Sequence, residues 1–112
     1  MICRMWRGWT APQDADAYEV YLNTELFPRL REELTAHGYR GFHVLRLAHA
    51  NEVEFVTMVW FESLESVRSF AGDAYETPVI SPKARRLLTR IADRCEHYRL
   101  SGFDWTGSVS PG

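Results

Sequence analysis

Apolar residues along this chain switch between dense runs and a spacing of four, and each switch marks an element. Residues 2–9 carry Ile2, Cys3, Met5, Trp6 and Trp9 on both parities, which predicts a first strand. Thr10-Ala11-Pro12-Gln13 then opens a helix, since proline is tolerated in a first turn. Asp14 and Asp16 suit the positive end of its dipole. Tyr18, Leu22, Leu26, Leu30 and Leu34 recur at every fourth position and lay an apolar stripe along one helix face. Pro28 lies inside that series and cannot donate an N–H, so a kink or break is expected there. Gly38 supplies the stop. A second strand is predicted from Tyr39 to about Ala48, a turn at His49-Ala50-Asn51, and a third strand over 53–61. Ser63 is a natural N-cap for a helix through Phe70, ended by Gly72. Residues 73–82, with Pro78 and Pro82, read as loop, Lys83–Leu88 as one or two helical turns, and 92–100 as a fourth strand.

The order β-α-β-β-α-β predicts an α+β, ferredoxin-like unit with an antiparallel sheet and both helices on one face. Successive side chains of a strand point to opposite faces. Yet the stretch E-F-V-T-M-V-W-F-E-S at 54–63 is apolar on both parities. The helices cover one of its faces and leave either Val56, Met58 and Trp60 or Phe55, Val59 and Phe61 wet. That forfeits roughly 1.5–3 kcal/mol for each side chain, against a typical total stability of about 5–15 kcal/mol. A second copy of the chain is the simplest cover, so a homodimer packed sheet against sheet is expected. Residues 1–100 form the domain. The tail 101–112 lies outside it, and Phe103 and Trp105 predict a strap pinned on its own subunit, on the partner or over a pocket mouth.

Composition narrows the partners. A chain of 112 residues, 46% hydrophobic and 25% charged, reads as a single globular domain. A net charge of -2 argues against nucleic acid and anionic membranes as bulk partners. In the opening M-I-C-R-M-W-R-G-W, Arg4 and Arg7 interrupt any apolar core of a secretory signal. No apolar run reaches the length of a membrane span. A cytoplasmic location follows as the expectation, and with it free, buried thiols at Cys3 and Cys95; a disulfide between neighbouring strands is the alternative.

Four stretches carry a family likeness: W-R-G at 6–8, G-Y-R-G-F-H-V-L-R at 38–46, E-F-V-T-M-V-W-F-E-S-L-E-S-V-R-S-F-A-G at 54–72 and E-H-Y at 96–98. Together they resemble the antibiotic biosynthesis monooxygenase group of the dimeric α+β barrel superfamily over nearly all of residues 1–100. The resemblance implies a small pocket between helices and sheet in each subunit. It also implies chemistry on aromatic or polyketide-type molecules in secondary metabolism: oxygenation without metal or flavin, or cyclisation and isomerisation. A related branch degrades haem with an Asn on the first strand, a Trp on the second helix and a His soon after. Here Phe70 and Ile80 stand at the last two positions and the first strand has no Asn, so that activity does not carry over. The family's Trp before Glu-Ser is Phe61 here, and Trp60, one residue earlier, points to the other face.

The remaining chemistry is read from individual residues. His37, His43, His49 and His97 include no pair at metal spacing; six residues of strand hold His43 and His49 roughly 20 Å apart. No nucleophile elbow, phosphate loop or dinucleotide fingerprint occurs. No metal or cofactor is therefore expected. Arg7, between Trp6 and Gly8, reads either as a clamp for a phenolate or enolate or as half of a structural ion pair. His43 and His97 are the candidate bases, because histidine carries protons near neutral pH; each also reads as a satisfied core or interface residue. Trp6, Trp60 and Tyr75 are candidate walls for a flat aromatic substrate, although packing explains tryptophans equally well. The expectation is a cofactor-independent monooxygenase-like enzyme with His43 or His97 as base and Arg7 as anion stabiliser. The alternatives are a cyclase or isomerase of the same fold, or a dimeric small-molecule-binding accessory protein without catalysis.

Overall fold

A computed structural model describes residues 1–107. The elements are β1 (Ile2–Thr10), α1 (Ala15–Tyr21), a π-helical segment (Leu22–Leu26), α2 (Phe27–Leu34), β2 (Tyr39–Ala48), β3 (Val53–Phe61), α3 (Leu64–Ala71), α4 (Pro82–Leu87), β4 (Leu88–Ile91) and β5 (Glu96–Arg99). All five strands join one antiparallel sheet, ordered β2-β3-β1, with β4 and β5 pairing successive halves of the far edge of β1. This is an α+β fold, broadly ferredoxin-like.

β3 shows which face is which. From Val53 to Phe61 its residues alternate without exception between buried and half-buried. Val53, Phe55, Thr57, Val59 and Phe61 face the helices and meet Tyr18, Leu22, Phe27 and Val67 in the core. Register then assigns the neighbours. On β1, Ile2, Arg4, Trp6, Gly8 and Thr10 share the helix side, while Cys3, Met5, Arg7 and Trp9 share the open side with Glu54, Val56, Met58 and Trp60. On β2 a bulge at Gly41, whose φ of +146° favours glycine, breaks the parity. Tyr39 and Phe42 therefore both face the helices, where Phe42 stacks on Phe27 at 3.9 Å between ring centroids.

Two local expectations resolve differently from a simple reading. Pro28 neither breaks nor ends its helix. The preceding turn widens instead, so that Phe27 N–H reaches Leu22 C=O five residues back, and α2 continues. The strand expected over 92–100 is confined to β5, Glu96–Arg99, and a strand the pattern did not indicate, β4 at Leu88–Ile91, precedes it and pairs with β1 at Gly8–Thr10. Ala92 N–H still reaches Arg7 C=O, but Cys95 N–H turns away to Glu76 C=O in the loop after α3. The sheet edge is opened at the point where that loop must be held. Both cysteines are buried free thiols, and burial raises both of their pKa values.

Residues 101–107 have no regular structure. Phe103 is exposed, and the Trp105 ring lies 6.3 Å from that of His43 on the open side of the sheet. The rest of the expected strap, residues 108–112, lies outside the described residues. No helix among the described residues is long and apolar enough to cross a membrane.

Candidate ligand-binding site

A cavity of about 240 Å³ lies between the helical layer and the sheet. Its floor is the helix side of the two central strands, from Arg4 and Trp6 to Thr57 and Val59. Tyr18, Tyr21, Leu26 and Phe27 of the first helical run form one wall, and Phe70 with the segment Pro78–Ser81 forms the other. Gly8 lets the Trp6 ring lie close along β1: a Cβ there would stand 3.1 Å from the indole ring and 2.9 Å from Leu88. Trp6 is then held by its Nε1–H, which donates to Ala92 C=O at 2.8 Å. Ser81 caps α4 by accepting from Ala84 N–H and also shares a 2.6 Å hydrogen bond with the Tyr21 hydroxyl, which ties the two walls together.

Arg4 dominates the electrostatics. It is 5% exposed and lines the cavity, with its guanidinium 5.5 Å from the centre of the Phe70 ring. Its Nη1 donates to Tyr75 C=O and to His97 Nε2 (3.0 Å), and its Nη2 donates to Thr77 C=O at 3.2 Å. A guanidinium has five N–H donors and no acceptor; these three bonds leave Nε–H and one Nη2–H without a protein partner among the described residues. None of the ion pairs among those residues includes Arg4. A charge buried without a counter-ion costs several kcal/mol in general, and burial pulls the Arg4 pKa down. The carbonyls of Tyr75 and Thr77 offset part of that cost and pin the loop over the cavity.

His97 stands behind Arg4 rather than in the cavity. Because arginine can only donate, His97 Nε2 accepts and the ring proton sits on Nδ1. Burial, and then the Arg4 charge, lower its pKa, so it stays neutral. Tyr75 packs edge-on against the His97 ring at 5.1 Å between centroids, and its backbone rather than its side chain serves Arg4.

The other residues picked out in the sequence lie elsewhere. Arg7 points to the open side and pairs with Glu54 at 3.5 Å. His43 and Trp60 are on that side too, where Trp60 Nε1–H donates to His43 Nδ1 at 2.9 Å. Of the six residues named, only Trp6 lines the cavity; His97 and Tyr75 touch it through Arg4, and Arg7, His43 and Trp60 are separated from it by the sheet. The residues that sequence reasoning passed over are Arg4, Tyr18, Tyr21 and Ser81. Arg4 carried a signal, being a charge on an apolar strand two positions from Trp6 and so on the same face. Tyr18 was legible only as a member of a helical stripe, and Tyr21 lies off that spacing.

No lining residue of the cavity among those described is a histidine, lysine or carboxylate. Its polar groups are the Arg4 fork, the hydroxyls of Tyr18, Tyr21, Thr57 and Ser81, the Cys95 thiol and, from exposed Arg29, a second guanidinium. Burial raises the Tyr18 pKa, so that hydroxyl stays protonated. The cavity can solvate and orient a negative charge, but no lining side chain among those described suits the removal of a proton. No metal-ligating cluster of three or more His, Cys, Asp or Glu occurs among the described residues. No protein-family model matches the chain, and no curated protein matches it.

Proposed function

We propose that this protein takes a small aromatic or polyketide-type molecule into the cavity and oxidises it with O₂ without a cofactor. The supporting observation is a largely apolar, aromatic-walled cavity with one buried guanidinium whose donors are only partly used. Converting a phenol to a quinone with one O₂ releases one water and balances without an added reductant. What such a reaction asks of the protein is stabilisation of the substrate anion that gives the first electron to oxygen. Arg4 is the group that meets that demand, in the role the sequence had suggested for Arg7. No lining group is suited to act as base, so the fraction of substrate already ionised in solution sets the rate, which is expected to rise with pH toward the substrate's own pKa. The same observation favours a second reading, an accessory protein that binds such a molecule without converting it.

The test is oxygen uptake by the purified protein, treated with chelator, on a panel of one- and two-ring phenols and naphthols. Oxygenation is expected to consume one O₂ for each quinone formed and to be lost in Arg4→Gln. Binding of the same compounds without oxygen uptake would leave the accessory reading standing.

The open side of the sheet carries the second proposal, a homodimer. Leu45 and Leu47 are 53% and 58% exposed, next to half-buried Met5, Val56, Met58 and Trp60 and exposed Tyr98. A second copy packed sheet against sheet would cover this largely apolar surface, interrupted by the Arg7–Glu54 pair, which is of the kind that marks an interaction site.

A further inference from the structure

We infer that the cavity selects a one- or two-ring aromatic carboxylate, with the carboxylate seated side-on against Nε–H and Nη2–H of Arg4. The inference rests on the second reading above, binding without conversion, because a carboxylate seated there takes the donors that oxidation assigns to a phenolate. Three observations on the chain lead to it.

The first is the geometry of the unused donors. Nη1 is committed to Tyr75 and His97, and one N–H of Nη2 to Thr77. What is left is Nε–H with one Nη2–H, and the guanidinium edge that carries Nε and Nη2 is the one that takes a carboxylate side-on. A single phenolate oxygen would fill only one of them. The second is the sign of everything around them. The charged lining groups, Arg4 and Arg29, are both cationic, and the Tyr18 and Thr57 hydroxyls have no hydrogen-bond partner among the described residues and are free to donate. Arg29 joins no ion pair or side-chain hydrogen bond among the described residues, so its charge is available to an entering anion. The third is size and wall chemistry. A volume of about 240 Å³ lies just below the usual range of sites for drug-sized ligands. Trp6, Phe27 and Phe70 give that small space aromatic walls, which suit a flat ring.

Titration of the wild-type protein with 1-naphthoate and with the neutral 1-naphthamide, followed by quenching of Trp fluorescence at pH 7.5, tests this directly. The acid is expected to bind at least tenfold more tightly than the amide. Arg4→Gln is expected to bring the acid down to the affinity of the amide and to leave the amide unchanged. Equal affinities for acid and amide in the wild type would overturn the carboxylate assignment while leaving the cavity as an aromatic site. Preferential acid binding that survives Arg4→Gln would place the anion elsewhere and also overturn it. If neither compound binds, the carboxylate assignment and the ligand site fall together. The wild-type comparison stands without the variant, should Arg4→Gln not fold.

Discussion

Arg4 serves two roles, and His97 connects them. As a donor it ties Tyr75 and Thr77 to β1, and as a buried cation it gives the cavity its sign. Its contact with His97 holds only while the imidazole is neutral, because a protonated ring has no lone pair to accept with and repels the guanidinium. The sign of the pH effect follows. The folded His97 pKa lies below its ordinary 6.5. The unfolded chain therefore binds more protons as the pH drops below 6.5, and that favours unfolding. His97→Gln offers an amide oxygen as a permanent acceptor. Melting temperatures of the two proteins from pH 7.5 down to pH 5 are expected to diverge, with the wild type losing more; parallel curves would show that His97 does not support Arg4.

At the scale of elements, the connections decide what the helices and strands can do. The 3-10 turn Thr35–His37 passes into β2 through Gly38, whose φ is +100°. A Cβ there would collide with Ser66 of α3, standing 2.6 Å from its Cβ. The left-handed conformation alone costs an ordinary residue about 1–2 kcal/mol. Gly38→Ala is therefore expected to lower stability by at least about 2 kcal/mol in urea unfolding, with α3 displaced; a loss below about 0.5 kcal/mol would show that the turn relaxes freely. The loop between α3 and α4 is the other decisive connection. Sequence reading marked it as proline-rich and offered the Tyr75 side chain as a wall, yet it is Pro78–Ser81 that line the cavity and the Tyr75 and Thr77 carbonyls that hold Arg4. Nothing in a loop's periodicity could have indicated this, because loop backbone finds its partners through tertiary contact.

For the whole molecule, the proposed sheet-to-sheet dimer gives a direct measurement. Sedimentation at twice the 13.0 kDa chain mass is expected for the wild type. Leu45→Lys with Leu47→Lys, which puts two charges into that surface, is expected to give the single-chain mass; a monomeric wild type would remove the proposal. The apolar run from Phe55 to Phe61 had already marked a strand apolar on both faces, and the β-α-β-β-α-β order followed from local spacing alone. Strand and helix type are local properties, written in periods of two and four that a sequence displays openly. Which parity of β1 faces the helices is not local. It depends on the register that aligns Gly8 with Phe55 and Arg4 with Val59 across the sheet. That choice sent Arg7 outward to Glu54 and Arg4 inward to the cavity. The composition of the first strand thus placed two arginines among apolar residues, and only the packing of helices on sheet decided which one faces the cavity.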